Sequence, residues 1–555
     1  MYGSTSTQPM KLRALPSPLT ALVTMVVSAI GLGAQTDAYY DRIHSSMESF
    51  GAVFREITTD YVDRTNPDAI VKAGIKGMLK ELDPYSVFMD DADDMESVER
   101  LSTGSYVGFG FSVSPRNGVL TITDLRPGYS AEQAGIRLGD RLVSVNLQRV
   151  DSLDLDSLRD VTHGPEGSNA LLSFVRDGRP DTITVNLVRR QMPLVNVTLA
   201  EMLDESVAYV KLERFSRDAG RELRWTLDEM QEQHPVSAVI LDLRGNPGGL
   251  LEAAVDVCEI FLPMNTLIVS TRDRLGRTRE YWSDREPLMP SIPLTILIDE
   301  HSASASEIVA GAIQDHDRGV LIGTRSFGKG LVQTVVPLPN ESSLKLTTAR
   351  YYTPSGRCIQ KLYRPDPDQD STGSFTTRKG RMVRPSSGIY PDVELAQAPY
   401  PAPIDHLLKN NVVGEFATRY TANRKELPAT FKVDKSVLQA FAQFVDSLPA
   451  QRRSGLAGSL QTVLDDMVAA GSPRSAIVSV RTALAAMKTD DKKVLDTHQE
   501  HLIRLLDAEI RSRFSTDAER LRRLLAGDTA VNAARDILST DRYDSVLGGD
   551  SRGDQ

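Results

Sequence analysis

The sequence predicts a multidomain α+β protein with an α/β core, an inserted β-rich module and helical regions at both ends. With 555 residues the chain is too long for a single hydrophobic core, which rarely extends past about 250–300 residues. Helical spacing of apolar residues gives way to short alternating strands, then to alternating strands and helices, and finally to charged amphipathic helices. We therefore expect the segments 1–35, 36–103, 104–191, 192–400 and 401–555.

The first segment has the pattern of a signal sequence. Lys11 and Arg13 precede an apolar run at residues 19–32, and the small residues Gly33 and Ala34 follow. The run is shorter than the roughly 20 apolar residues that a spanning helix needs, which favours a cleaved signal over a membrane anchor. The sequence thus predicts export to the periplasm or cell envelope. Anchoring, and with it membrane association through the N-terminus, stays open.

The next two segments differ in periodicity. Ile43, Met47, Phe50 and Phe54 recur at helical spacing, and the predicted helices end at a turn formed by Asp83-Pro84. Residues 104–191 instead alternate short strands with glycine turns, which is typical of a compact β-rich module.

Composition limits the kinds of partner and cofactor that the chain is expected to bind. The net charge of -10 gives no electrostatic basis for binding nucleic acid, so proteins or peptides are the expected partners. Cys258 and Cys358 are the only cysteines, which excludes a disulfide-stapled scaffold and a cysteine metal site. We predict no metal and no cofactor. Whether the two cysteines pair stays open.

A candidate nucleophile lies between a predicted buried strand at residues 294–300 and an apolar helix at residues 307–313. The turn between them reads His-Ser-Ala-Ser-Ala-Ser. Ser304 in this turn would lie in the positive field of the helix N-terminus, which favours developing negative charge. Ser304 and Glu307 also fit a capping box, and taken alone that structural interpretation is the more ordinary one. The two interpretations are compatible.

A candidate general base lies in the predicted loop of residues 324–330. Lys329 is flanked by Gly328 and Gly330 and follows Phe327. An apolar pocket would lower the pKa of a lysine by desolvation and leave a neutral amine that can accept a proton. A serine nucleophile without histidine needs such a base. A lone loop lysine is more commonly a solvated charge.

Two glycine-containing loops allow other interpretations. Residues 323–329 nearly match a phosphate-binding loop, but Gly330 stands where Ser or Thr belongs, and a strand follows in place of a helix. Residues 245–249 look like the nucleophile loop of chymotrypsin-type proteases with proline in place of serine. The glycines that end this loop would expose backbone N–H groups, which suits an oxyanion site, although a tight turn is the simpler interpretation.

Taken together, these segments are similar to the carboxyl-terminal processing peptidases, also called tail-specific proteases. The resemblance covers roughly residues 39–394 and depends on the order and spacing of several motifs. The matching motifs are LDPYS at residues 82–86, LDLRGNPGG at 241–249, SASASE at 302–307, GKGLVQ at 328–333, TTARYYTPSG at 347–356 and GIYPD at 388–392.

The resemblance implies a serine endopeptidase with a dyad of Ser304 and Lys329 that acts through an acyl-enzyme. It also implies that Gln333 orients Lys329 and that the backbone N–H groups of Gly249 and Ala305 form the oxyanion hole. Lys329 and Gln333 are four residues apart, so an extended strand would keep them on one face. The expected substrates are exported or envelope proteins that are cleaved near their C-terminal ends.

The β-rich module resembles a PDZ domain. Its loop SYVGFGF at residues 105–111 looks like the PDZ loop whose backbone N–H groups bind a chain-terminal carboxylate while the peptide adds as a strand. The motifs RPGYSAEQAG at 126–135 and LGDRL at 138–142 match the second half of that module, except that Tyr129 stands where a small residue is usual. The resemblance implies that the carboxylate of a substrate C-terminus is bound by Gly108, Phe109, Gly110 and Phe111.

Two parts of the chain are less informative. The helical region 401–555 could form a homodimer, bind an adaptor or cover the core, and these alternatives stay open. Residues 365–388 are polar and rich in proline and glycine, which predicts a flexible insertion. A non-catalytic scaffold that captures protein C-termini would explain the PDZ-like module, but it would leave the spacing of Ser304, Lys329 and Gln333 unexplained.

Overall fold

The computed structural model describes residues 18–89, 100–150, 164–339, 342–361, 374–385, 387–395, 400–428 and 430–548. Backbone contacts divide the chain into two compact units, Met1–Phe88 and Met89–Gln555.

The first unit is helical. It contains α1 (Pro18–Asp60) and α2 (Pro67–Lys80), and strand β1 (Val87–Met89) lies at its end. The side chain of Asn66 caps α2 by accepting from the N–H groups of Asp68 and Ala69. The predicted turn is present, because Asp83 Oδ1 accepts from the two N–H groups that follow Pro84. Helix α1 runs across the predicted boundary at residue 36.

Residues 1–17 of the predicted signal sequence lie outside the described residues. Over the part of the chain that the structure describes, no helix combines the length and the apolar character needed to cross a membrane.

The β-rich module occupies the start of the second unit. Its main sheet has the order β3-β4-β5-β7-β8, and β6 pairs with β5. Strands β2 and β9 pair antiparallel, so the chain enters and leaves the module side by side. The elements are β2 (Ser105–Gly108), β3 (Phe111–Arg116), β4 (Val119–Leu125), α3 (Ser130–Gln133), β5 (Arg141–Val145), β6 (Gln148–Arg149), β7 (Asn169–Val175), β8 (Thr182–Val188) and β9 (Arg190–Pro193).

The α/β core follows. Its elements are β10 (Val197–Leu203), β11 (Val207–Leu212), α4 (Ala219–Gln233), β12 (Ala238–Asp242), α5 (Leu251–Cys258), β13 (Leu267–Asp273), β14 (Thr278–Trp282), β15 (Leu294–Ile298), α6 (Ala305–Asp315), β16 (Val320–Gly323), β17 (Leu331–Pro337), β18 (Ser343–Tyr352), β19 (Phe375–Thr376), β20 (Met382–Val383) and β21 (Val393–Glu394).

One sheet of this core determines where the site lies. Its order over the described residues is β10-β11-β12-β15-β16-β21, and the pairs from β11 to β21 are parallel. Every residue of β12, β15 and β16 is buried, as the apolar runs predict. The carboxyl ends of parallel strands meet at one edge of a sheet, so the loops after β12, β15 and β16 are brought together there.

A second, antiparallel sheet contains β17, β18, β13 and β14 in that order of pairing. Strand β18 brings Tyr351, which is 1% exposed, to the loops of the first sheet. The register between β17 and β18 shifts between Val332 and Gln333.

The C-terminal region is helical, as predicted. Helices α4, α5 and α6 cover one face of the parallel sheet. Helices α14, α15 and α16 cover the other face, where Ala534 and Ile537 of α15 belong to the same buried cluster as Ile240 and Leu297. The helices are α7 (Ala402–Lys409), α8 (Val412–Thr421), α9 (Lys435–Asp446), α10 (Ala450–Arg453), α11 (Gly455–Ala469), α12 (Arg474–Thr497), α13 (Gln499–Ser512), α14 (Asp517–Leu525), α15 (Thr529–Leu538) and α16 (Arg542–Gly548). Covering the core is therefore one role of this region.

The prediction of a flexible insertion at residues 365–388 is wrong for the part of this segment that the structure describes. Strands β19 and β20 form an antiparallel hairpin. Arg381 in this hairpin donates to Asp317 at 2.6 Å and to Asp392 at 2.5 Å, so buried ion pairs hold it to the core. Residues 365–373 and 386 lie outside the described residues.

Candidate active site

Three loops meet at the carboxyl edge of the parallel sheet. Between the loops after β12 and β15, the N–H of Gly245 donates to Asp299 at 2.9 Å and that of Ala303 donates to the carbonyl of Asn246 at 3.0 Å. Between the loops after β15 and β16, the N–H of Phe327 donates to the carbonyl of Ser302 at 3.0 Å. The turn that contains the predicted nucleophile thus lies between the glycine loop and the lysine loop.

Ser304 has a strained backbone at the start of α6. Its φ is 55° and its ψ is -111°, in a region that residues other than glycine rarely occupy. Ser302, two residues earlier, anchors the turn, because its hydroxyl donates to the carbonyl of Leu243 at 2.9 Å. Backbone strain of this kind persists only where neighbouring contacts enforce it, and it concentrates at functional sites.

Glu307 joins the nucleophile turn to the lysine loop. Its side chain is fully buried. One carboxylate oxygen accepts from the N–H groups of Ser304 and Lys329, each at 2.8 Å. The other accepts from the hydroxyl of Ser326 at 2.5 Å and from the N–H of Gly328 at 2.7 Å. Burial raises the pKa of Glu307, and these hydrogen bonds oppose that rise.

Glu307 therefore makes the predicted capping contact, and it also does more than cap the helix. Glu307 supplies its half of a capping box to Ser304 and also holds the loop that carries the predicted base. The sequence motif signalled only the contact within the helix turn.

Lys329 is half-buried, and its ammonium nitrogen donates to Gln333 Oε1 at 3.1 Å. This contact is the one that an orienting role of Gln333 requires. The hydroxyl of Tyr351 lies within hydrogen-bonding range of the carbonyl oxygens of both Ser304 and Lys329. Tyr351 is thus a second link between the backbones of the predicted nucleophile and base, and the sequence interpretation did not assign it.

The glycine loop lies directly against the nucleophile turn. A Cβ atom added to Gly248 would lie 2.6 Å from the carbonyl oxygen of Ala303 and 2.9 Å from Ser304 Cβ. Neither Gly249 nor Ala305, the predicted oxyanion donors, has an acceptor for its N–H among the residues that the structure describes. Both groups are thus available to a ligand, as the prediction requires.

A buried charge cluster lies at the base of the glycine loop. Asp242 ends β12, is 1% exposed, and accepts from Tyr209 Oη at 2.7 Å and from three nitrogens of Arg244. Lys211 also donates to Asp242, at 3.3 Å, and to the carbonyl of Arg244. Burial raises the pKa of Asp242, but hydrogen bonds from Arg244 and the charge of Lys211 outweigh burial and hold this pKa below its usual value.

In the sequence, Asp242 and Arg244 are part of a matching motif, but no role was predicted for them. The one local sign of this charge cluster is that a charged residue, Asp242, ends an otherwise apolar strand. A buried carboxylate there requires partners.

The predicted carboxylate-binding loop of the β-rich module lies between β2 and β3. The N–H groups of Phe109 and Gly110 have no acceptor among the described residues. Gly110 has a φ of 90°, and an added Cβ atom would lie 2.3 Å from Tyr129 Cβ. Tyr129, the unusual residue of this module, therefore packs against the loop and requires glycine at position 110. Residues 151–163 of the module lie outside the described residues.

Both cysteines are buried and no disulfide bond joins Cys258 to Cys358, which answers the open question about pairing. Over the described residues, no group of three or more His, Cys, Asp or Glu side chains could hold a metal ion.

Comparison with protein families gives four matches. The model of peptidase family S41 matches residues 206–370, and a PDZ domain model matches residues 121–176. A model described as the N-terminal domain of the activating protease CtpB matches residues 27–93. A model described as the C-terminal helical domain of a probable PDZ-protease matches residues 404–538.

Individual proteins are also similar. The carboxy-terminal-processing protease of Bartonella bacilliformis is 33% identical over 348 residues, which are 62% of this chain and 78% of that protein. The carboxy-terminal processing protease CtpA of Bacillus subtilis is 30% identical over 348 residues, or 62% and 72% of the two chains. A solved structure, the photosystem II D1 C-terminal processing protease, is 28% identical with a TM-score of 0.38 and covers 64% of this chain and 89% of its own.

Replacing Glu307 with glutamine is expected to lower the free energy of unfolding by about 2–5 kcal/mol, because an NH2 group would face two of the four buried donors. Chemical denaturation measures this change. Glu300→Gln is the matched control, since that side chain is 56% exposed and should change stability by less than about 0.5 kcal/mol. An equal effect of the two substitutions would contradict the linking role of Glu307.

Proposed function

The chain belongs to peptidase family S41 and is a serine-type carboxy-terminal processing protease with a PDZ domain, and on this premise we propose that Ser304, Lys329 and Gln333 are its catalytic residues. The observation that carries the proposal is the shared carboxylate of Glu307, which accepts from the backbones of both Ser304 and Lys329. The domain boundaries predicted from the sequence are part of this proposal.

The proposed reaction is acyl transfer to Ser304. Neutral Lys329 takes the hydroxyl proton, and Ser304 Oγ attacks the scissile carbonyl carbon. The N–H groups of Gly249 and Ala305 donate to the oxyanion. The C–N bond then breaks, the leaving amine takes the proton from Lys329, and the acyl-enzyme remains. Water, deprotonated by Lys329, attacks the ester carbon. The bond from this carbon to Ser304 Oγ breaks, Oγ takes the proton back from Lys329, and the carboxylic acid product leaves.

Substrates are proposed to be exported or envelope proteins with accessible C-termini. The PDZ domain would bind the terminal carboxylate through residues 108–111, and cleavage would follow near that end. Two features support this proposal. The N–H groups of Phe109 and Gly110 have no acceptor among the described residues, and basic residues followed by an apolar run stand near the N-terminus.

Ser304→Ala is expected to reduce kcat/KM at least about 10³-fold on an unfolded substrate with an apolar C-terminal tail, because the nucleophile is lost. Cleavage is measured by the release of the C-terminal fragment. Ser237→Ala, at an exposed position away from the site, should cleave like the wild type. Both variants should remain folded, which their unfolding transitions check. Wild-type cleavage by Ser304→Ala would remove Ser304 from the mechanism.

The kcat/KM of the wild type is expected to rise with pH. A lysine acts as a general base only when neutral, and the pKa values of tuned catalytic lysines lie near 7–8, so activity is present above that range and is lost below it. The measurement is kcat/KM from about pH 5 to pH 9, with the unfolding midpoint recorded at each pH to exclude loss of fold. A profile that stayed flat down to about pH 5 would contradict a lysine base.

Gly110→Ala is expected to weaken binding of a C-terminal peptide at least about tenfold, because the new Cβ atom would displace the carboxylate-binding loop. Fluorescence anisotropy of a labelled peptide, in the Ser304→Ala background, measures the affinity. Gly118→Ala is the matched control, since φ is also positive there and nothing lies within 4 Å of the added atom. Equal affinity for the peptide acid and its amide would argue against carboxylate recognition.

A further inference from the structure

One ion pair connects the C-terminal helices to the glycine loop of the site. Asp528 is the N-cap of α15, where it accepts from the N–H groups of Ala530 at 2.9 Å and Val531 at 3.0 Å. Its carboxylate also accepts from Arg244 Nη1, at 3.1 Å to one oxygen and 2.9 Å to the other. The two residues are 284 positions apart in the chain.

This contact balances the charges of the buried cluster. The core supplies two cations, Lys211 and Arg244, and one carboxylate, Asp242, which both cations contact. The side chains of Arg244 and Asp528 are 21% and 20% exposed. Asp528 provides the second negative charge. Without it, the two cations would compete for Asp242 in a poorly solvated place, which is unfavourable.

The cluster also fixes the backbone where the glycine loop begins. Asp242 accepts from the N–H of Arg244 at 2.9 Å, and Lys211 donates to the carbonyl of Arg244. Four residues later, Gly248 lies against the turn of Ser304. A movement of Arg244 would therefore be transmitted to the loop that carries Gly249.

We propose that Asp528 is a positioning residue for the oxyanion loop, acting through Arg244. The packing of α14–α16 on the sheet thereby completes the active site, and the C-terminal helical region takes part in catalysis without touching the substrate. This proposal rests on the proposed function, because it assigns the effect to the N–H of Gly249.

The expected effect is partial, because other contacts also hold the loop. Asn246 Nδ2 donates to the carbonyl of Leu212, Ser306 Oγ donates to the carbonyl of Asn246, and Asn246 Oδ1 accepts from the N–H of Gly248, each at 2.9 Å. Complete loss of one oxyanion donor costs about 10²–10³ in kcat. A displaced donor should cost less, about tenfold.

The test compares two variants that alter the same helix. Asp528→Ser keeps a good N-cap but cannot reach Arg244. Arg535→Gln removes the contact of α15 with Asp204, made at 2.5 Å on the outside of the same interface, and leaves the cluster intact. For each full-length variant, kcat, KM, the acylation rate before steady state and the unfolding midpoint are measured.

We expect Asp528→Ser to lower kcat and the acylation rate about tenfold while KM changes less than about twofold, which is the pattern of lost transition-state stabilisation. Arg535→Gln should match the wild type in both rates. Equal kinetics of the two variants, or a rise in KM alone, would overturn the proposal. If Asp528→Ser does not fold, Asp528→Asn replaces it, because asparagine keeps the cap and removes the charge.

The outcomes separate the two proposals. If Ser304→Ala retains activity, the proposed function fails regardless of Asp528. If Ser304→Ala is inactive and Asp528→Ser behaves like Arg535→Gln, only the role of Asp528 fails.

Discussion

The buried carboxylate of Glu307 is the constraint on which the arrangement of the site depends. It lies in the first turn of α6, so the helix determines its position, and its four hydrogen bonds fix two loops relative to that helix. A buried charge is acceptable in this place only because four donors surround it. The carboxylate and the two loops therefore depend on each other. A substitution that disturbs one of them is expected to disturb the other.

The parallel sheet explains why these loops are neighbours at all. Strands β12, β15 and β16 end at the same edge, and each end is followed by a loop that contains several small residues. Small residues let backbones approach, as the contact of Gly248 with the Ser304 turn and that of Gly330 with Gln360 demonstrate. A Cβ atom on Gly330 would lie 2.8 Å from the backbone nitrogen of Gln360. Glycine there is a requirement of packing, because any side chain at this position would meet the backbone of Gln360.

Local features of the site could be predicted from neighbouring residues, and the resemblance implied that Ser304, Lys329 and Gly249 lie close together. The contacts that hold these loops in place could not be predicted. The strand before Ser304, the helix after it and the lysine loop each follow from apolar runs and small residues within about ten positions. Predicting the hydrogen bonds of Glu307 to the loop 19–22 residues away would have required knowledge of how β16 pairs with β15. Tyr351 and Asp528 carried no local signal, because their partners are brought close only by the second sheet and by α15. The hairpin at residues 374–385 was mistaken for a flexible segment for the same reason, since its partner Asp317 lies far away in the sequence.

The strained backbone of Ser304 depends on contacts from residues both near to it and distant from it in the sequence. A positive φ at a serine is unfavourable by about 1–3 kcal/mol and would relax if the turn were free. The turn is held from the glycine loop by Asn246, from the helix by Glu307 and from the second sheet by Tyr351. Each of these contacts comes from a different element, so the conformation of Ser304 reflects the assembly of the whole core. Holding Ser304 in this conformation therefore lowers the stability that the core would otherwise have.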